Sequence, residues 1–163
     1  MSNITGIHHV TAIAGPAQEN LDFYAGILGM RLVKKSVNQD DPSTYHLFYA
    51  DGEGHAGSDL TFFPWAHMPR GRDGTGLTNE VSLAVPVGSL GYWTERLTQH
   101  DVKIGSQETR FGERALPVTD VHGLRLALVE TGDAREFTPW SGSPVPVEHQ
   151  IRWLHTVRIS ERN

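Results

Sequence analysis

The side chains with chemistry to offer are nitrogen and oxygen donors, because the chain contains no cysteine. Disulfides, thiolate metal sites and cysteine nucleophiles are excluded together. Nine histidines are generous for 163 residues, and imidazole with carboxylate is the ligand set that suits iron, manganese, zinc or nickel. The pair His8-His9 opens a β-branched segment, with Thr11 two residues beyond His9. On a strand, alternation puts His9 and Thr11 on one face and His8 on the other. A histidine so placed serves either as a metal ligand or as a hydrogen-bonded structural residue. His46, His55 and His122 fall at expected strand ends or in turns, where exposed histidine is ordinary, and are assigned no metal. His149 ends the proline-containing arm and His155 lies on the strand after it, and the structural reading is favoured for both. Tyr45, Tyr49, Phe62, Phe63 and Trp65 lie on expected strands. Successive residues there face opposite sides, so half should pack against helices while the rest could line a pocket for an aromatic ring. Gly52-Glu53-Gly54 and Gly71-Arg72-Asp73-Gly74 lack the following helix that a phosphate loop needs.

The elements that must position these groups follow from local patterning. Ile7 to Ala14 reads as a strand ended by Gly15-Pro16. From Ala17 to Met30 the apolar residues Leu21, Tyr24, Ala25 and Leu28 recur at helical spacing, and Gly29 is placed to stop the helix. Met30 to Val37, Tyr45 to Ala50 and Ser58 to Trp65 read as strands. The order is βαβββ, and a second unit repeats it. Its strand Asn79 to Val85 precedes a helix from Ser89 to Gln99 that Ser89 could cap. Val102 to Gly105, Phe111 to Val118 and Leu124 to Glu130 read as its remaining strands. The expected fold class is α+β, with two tandem βαβββ units forming curved mixed sheets over residues 1–131 (1–70 and 76–131). Residues 132–163 read as an arm followed by the first strand of a further unit, Trp153 to Ile159.

Composition narrows the partners. Lys and Arg total 14 against 19 for Asp and Glu, giving a net charge of −5 and a pI near 5.9. That balance argues against nucleic acid or an anionic membrane as a main partner, since both call for a basic surface. No apolar run approaches the ~20 residues of a membrane span, and the N-terminus lacks the pattern of a signal peptide, so a cytoplasmic location is expected.

The segments IHHVTAIAG, YAGILGMRLVKKSVN, YHLFYADGEGHAGSDLTFFPW and TRFGERALPV, set in two βαβββ units, resemble the vicinal-oxygen-chelate superfamily. That group comprises glyoxalases, bleomycin-resistance proteins and extradiol dioxygenases. The whole chain is similar to the N-terminal half of ring-cleaving hydroquinone dioxygenases. The resemblance implies an Fe(II)- and O2-dependent cleavage of a small aromatic substrate, a hydroquinone or catechol, with manganese, zinc or nickel as other possible metals. It implies His9 as metal ligand, His8 as a nearby acid-base group and Thr11 as a pocket residue. A second histidine and a glutamate would come from a fourth unit. Where the superfamily pattern has ligands in the second unit, this chain has Glu80 and Ala127, and Thr61 takes the last-strand place in the first unit. Arg110, Glu113 and Arg114 could steer an anionic phenolate, or Glu113 could form a surface ion pair with either arginine worth under about 1 kcal/mol.

Two other readings stand beside this one. One is a non-catalytic module that encloses a small aromatic ligand. The other is a glyoxalase-like metal-dependent lyase or isomerase completed at a dimer interface, with Glu80 as the extra ligand. A homodimer, or pairing with a missing C-terminal half, is the expected association, because the apolar residues of 153–159 need cover from a partner or a docked arm.

Overall fold

The computed structural model describes residues 4, 6–69, 71–133 and 135–162. β1 (His9–Ala14) leads into helix α1 (Ala17–Leu21), which continues as a π-helical turn over Asp22–Ile27. Gly29 ends it at φ +71°, and a Cβ there would stand 2.5 Å from Ser143 Oγ and 2.6 Å from Val145 Cγ2, so only glycine fits. β2 (Arg31–Val37), β3 (Tyr45–Ala50) and β4 (Asp59–Pro64) follow. β4 returns beside β1 in parallel, giving the sheet order β1-β4-β3-β2.

The second unit has the same connectivity. β5 (Thr78–Pro86), α2 (Leu90–Gln99), β6 (Lys103–Ile104), β8 (Glu113–Thr119) and β9 (Arg125–Thr131) build the order β5-β9-β8-β6, with β9 parallel to β5. A short strand β7 (Glu108–Arg110) pairs with β8. The expected strand start at Phe111 is thus a hairpin tip: Phe111 is fully exposed at φ +50°, because Phe111 and Gly112 make the tight turn between β7 and β8. β10 (Leu154–Ile159) lies antiparallel on the outer edge of β5, with Leu154 opposite Leu83 and Arg158 opposite Glu80. Trp153 and Leu154 are buried there, while Ile159 at the far end of β10 is exposed.

Ser89 does not cap α2 through its side chain. Its backbone is already helical, and its hydroxyl lies 3.1 Å from His149 Nδ1. The buried carboxylate of Glu130 does the capping, accepting the amides of Gly88 and Leu90 at 2.9 Å each. A negative charge at a helix N-terminus satisfies open donors and complements the dipole.

One apolar core joins the units. Leu47, Tyr49, Leu60 and Phe62 of the first sheet meet Leu83, Val85, Leu116, Leu126 and Leu128 of the second, with Tyr24 of the first helix and Trp93 of α2 in the same cluster. The opposite face of each sheet therefore points away from this shared core. Among the described residues no helix is long and apolar enough to cross a membrane.

Candidate active site on the outer face of the first sheet

Alternation along β1 decides what this face carries. Val10, Ala12 and Ala14 pack into the core, while His9, Thr11 and Ile13 are exposed on the other side. The β1–β4 register sets His9 against Asp59 and Thr11 against Thr61, and the β3–β4 register brings Phe48 against Thr61. His9, Thr11, Asp59, Thr61, Phe63, His46 and Phe48 thus share one face.

Several contacts order it. Thr61 is buried and donates its hydroxyl to Thr11 Oγ1 at 2.8 Å, and His46 Nε2 lies 3.0 Å from Thr61 Oγ1. The His46 ring is flanked by Phe48 and Phe63, with centroids at 4.0 and 4.2 Å, and Phe63 continues to Trp65 at 5.6 Å. Lys34 Nζ stands 5.1 Å from the Phe48 ring centre. Burial holds the His46 imidazole below its ordinary range, helped by the nearby charges of Lys34 and His9. The Asp59 carboxyl is pushed up by burial, with His9 and His8 acting against that rise.

His8 does not project away from His9. It precedes β1, and its Nδ1 lies 3.1 Å from His9 Nδ1 with the rings edge to face. Its carbonyl accepts the amide of Gly57 at 2.7 Å, so strand alternation does not govern its side chain. One Nδ1 of this pair donates and the other accepts, which leaves Nε2 of His9 as the nitrogen with which it could hold a metal.

The structure brings His8, His9 and Thr11 together, and adds His46, Thr61 and Asp59. His46 had been set aside as an ordinary strand-end histidine. Its alternation with Phe48, on a strand whose Leu47 and Tyr49 are apolar, is the signal that places it on this face. Four of the five aromatics divide as alternation requires, with Tyr49 and Phe62 buried against Tyr24 and Phe63 and Trp65 on the outer face, while Tyr45 at the start of β3 is exposed beside Lys35.

The corresponding face of the second sheet is filled. Ala115, Ala127 and Val129 form a small buried cluster, and Ser82 and Ala84 are buried beside β10. Glu80 is buried, and both its oxygens bind Arg110, at 2.5 and 3.2 Å. A guanidinium thus occupies the carboxylate that a metal would need. Glu113 pairs with neither arginine and instead meets His155 Nε2 at 2.9 Å, while Arg114 reaches Glu130 and Gln107. His149 stacks on Tyr92 at 4.3 Å, a structural role. Among the described residues no group of three or more His, Asp or Glu side chains could hold a metal ion.

Known proteins share this sequence and fold. MhqO of Bacillus subtilis (strain 168), named as a ring-cleaving dioxygenase, is 48% identical over 135 residues, which is 82% of this chain and 43% of that protein. The chlorohydroquinone/hydroquinone 1,2-dioxygenase of Sphingobium indicum is 33% identical over 156 residues, 94% of this chain and 49% of that one. A crystal structure of a Bacillus subtilis protein named as a dioxygenase superposes with a TM-score of 0.87 at 43% identity, covering 93% of this chain and 48% of that one. The chain spans about half the length of the curated relatives it matches. The model of the Glyoxalase/Bleomycin resistance protein/Dioxygenase superfamily matches residues 6–128, and the chain belongs to that superfamily.

Proposed function

We propose that this chain provides one part of the active site of a ring-cleaving dioxygenase acting on a hydroquinone or catechol with Fe(II) and O2. The observation that carries the reading is the asymmetry of the two outer faces. The first presents His9, Thr11 and a row of aromatic rings, whereas the second is packed with small residues and a paired carboxylate. His9 fits one metal position, and the other ligands would come from outside the described residues. Fe(II), when held there, would pass electron density from the bound aromatic substrate to oxygen.

The chain's own groups bind and orient. Phe48 and Phe63 offer ring faces to a planar substrate, with Lys34 close enough to favour its anionic form. Thr11, backed by Thr61, holds a substrate oxygen beside His9, and His8 exchanges a proton there. The remaining ligands would arrive with a further βαβββ unit on β1. β10 occupies the outer edge of β5, while β1 is the last strand of its sheet, so a first strand from another unit would lie on β1 as β10 lies on β5. A second copy of the chain, or further units of a longer protein, would both meet that need.

Fe(II) titration with oxygen uptake on hydroquinone as readout tests this. Ring opening abolished by chelator and by His9→Ala is the expected result. Full activity in His9→Ala overturns it.

A further inference from the structure

The outer face holds two titratable groups that the reading above does not use, His46 and Asp59. His46 sits in β3, two strands away from His9, yet an unbroken set of contacts runs from its ring to the residue beside His9. We propose that His46, Thr61 and Thr11 form a proton wire that delivers a proton to an oxygen anion held beside His9. The proposal deepens the ring-cleavage reading and rests on it.

The proposed wire has one polarity, which requires the Nε2–H tautomer of His46. Thr61 donates to Thr11 at 2.8 Å, so its oxygen accepts from His46 Nε2–H at 3.0 Å. Thr11 then has its own hydroxyl hydrogen to offer, and it is exposed on the face that carries His9. Thr61 is fully buried, which shields the middle of the wire from water. The ring of His46 is half-buried between Phe48 and Phe63, so its edge exchanges protons with solvent while its position stays fixed.

The step balances. The Nε2–H bond of His46 breaks and its proton passes to Thr61, the Thr61 proton to Thr11, and the Thr11 proton to the ligand's oxygen anion. Nδ1 takes a proton from water as Nε2 gives one, or the imidazolium simply becomes neutral. Burial between the two phenylalanines, then Lys34 from β2 and His9 from β1, set its acid strength, and Asp59 of β4 shares the face. Burial, helped by Lys34 and His9, makes the imidazolium a readier donor than a free histidine. His46 acts through the threonines and is a positioning and relay residue.

Two measurements test the wire. The first needs neither metal nor substrate. In imidazole 15N spectra of the 163-residue chain, neutral His46, identified by the resonance lost in His46→Phe, is the Nε2–H tautomer. Thr11→Val removes the acceptor of Thr61, whose proton then turns to His46 and shifts it to the Nδ1–H tautomer. A His46 resonance indifferent to Thr11→Val, or Nδ1–H in the unaltered chain, overturns the proposal.

The second uses whichever assembly opens a hydroquinone ring. Turnover falls as pH rises through the His46 midpoint, and Thr61→Val removes that limb and lowers kcat by on the order of a hundredfold at little change in KM. An unaltered pH profile in Thr61→Val overturns the wire. If the unaltered assembly opens no ring, the ring-cleavage reading falls, and the tautomer experiment still decides whether the wire exists.

Discussion

The phenol of Tyr24 donates a 2.9 Å hydrogen bond to Asp120 across 96 positions of sequence, joining the helix of the first unit to the turn before the last strand of the second. Asp120 is buried, and its other oxygen accepts the amides of His122 and Leu124 at 2.9 and 2.7 Å. Burial, with Asp120 beside it, pushes the Tyr24 phenol well above its ordinary range, so it remains a donor at any working pH. Tyr24→Phe keeps the ring and removes the donor. It should lower stability by about 1–3 kcal/mol, the range for orphaning a buried acceptor. Urea denaturation would read this as a lower midpoint at constant slope.

Asp51 and His55 predict a pH window. Burial raises the Asp51 carboxyl, but a hydrogen bond from His55 and backbone amides, including that of Thr138 in the arm, lower it further, and the net shift is downward. Its contribution is present above the unfolded carboxylate value and is lost as pH falls through the folded one. His55 is raised by its hydrogen bond to Asp51, so its contribution is present below the unfolded imidazole value and is lost as pH rises through the folded one. The pair therefore helps most between about pH 4 and 6.5. Thermal midpoints across that span should decline on both sides. His55→Asn should remove the alkaline decline and soften the acid one, since the hydrogen bond that lowers Asp51 is lost with the imidazole.

The Glu80–Arg110 pair predicts a different response to single and double changes. The two side chains are 7% and 16% exposed, so neither charge is well hydrated. Arg110→Ala leaves the buried Glu80 carboxylate with only Arg158 at 3.8 Å, and a loss of about 3 kcal/mol is expected. Glu80→Leu combined with Arg110→Met removes both charges and should recover most of that loss. A double variant no more stable than Arg110→Ala alone would contradict this account.

Glu130 predicts the stability of α2. Its truncation to alanine leaves the amides of Gly88 and Leu90 without their acceptor and should cost about 1–2 kcal/mol. Hydrogen exchange should quicken first at the N-terminal turn of the helix. Ser89→Ala should have little effect there, since that hydroxyl points elsewhere.

Much of this architecture was legible from periodicity. The βαβββ order, the strand from Tyr45 to Ala50 and the stop at Gly29 are consequences of local pattern and turn chemistry, and the structure has them. What escaped depended on neighbours remote in sequence. Ser89 is a good capping residue by type, yet a carboxylate 40 positions beyond Leu90 takes the place. Phe111 is a good strand former by type, yet the hairpin puts it at the turn. His46 looked ordinary because its significance lies in Thr61 and Thr11, which only the sheet register brings to it. The position of His8 likewise depends on chain geometry before β1 rather than on alternation within it.

The parallel pairing of β1 with β4 has a consequence for which changes of length the protein could survive. With a side-chain period of two, deleting one residue within β1 would send the downstream imidazole or hydroxyl inward and bring valine or alanine out. Deleting two would preserve parity and shift the pattern by one pair. β1 is in that sense a counting device: an odd error erases the face that carries the chemistry, and an even one only displaces it.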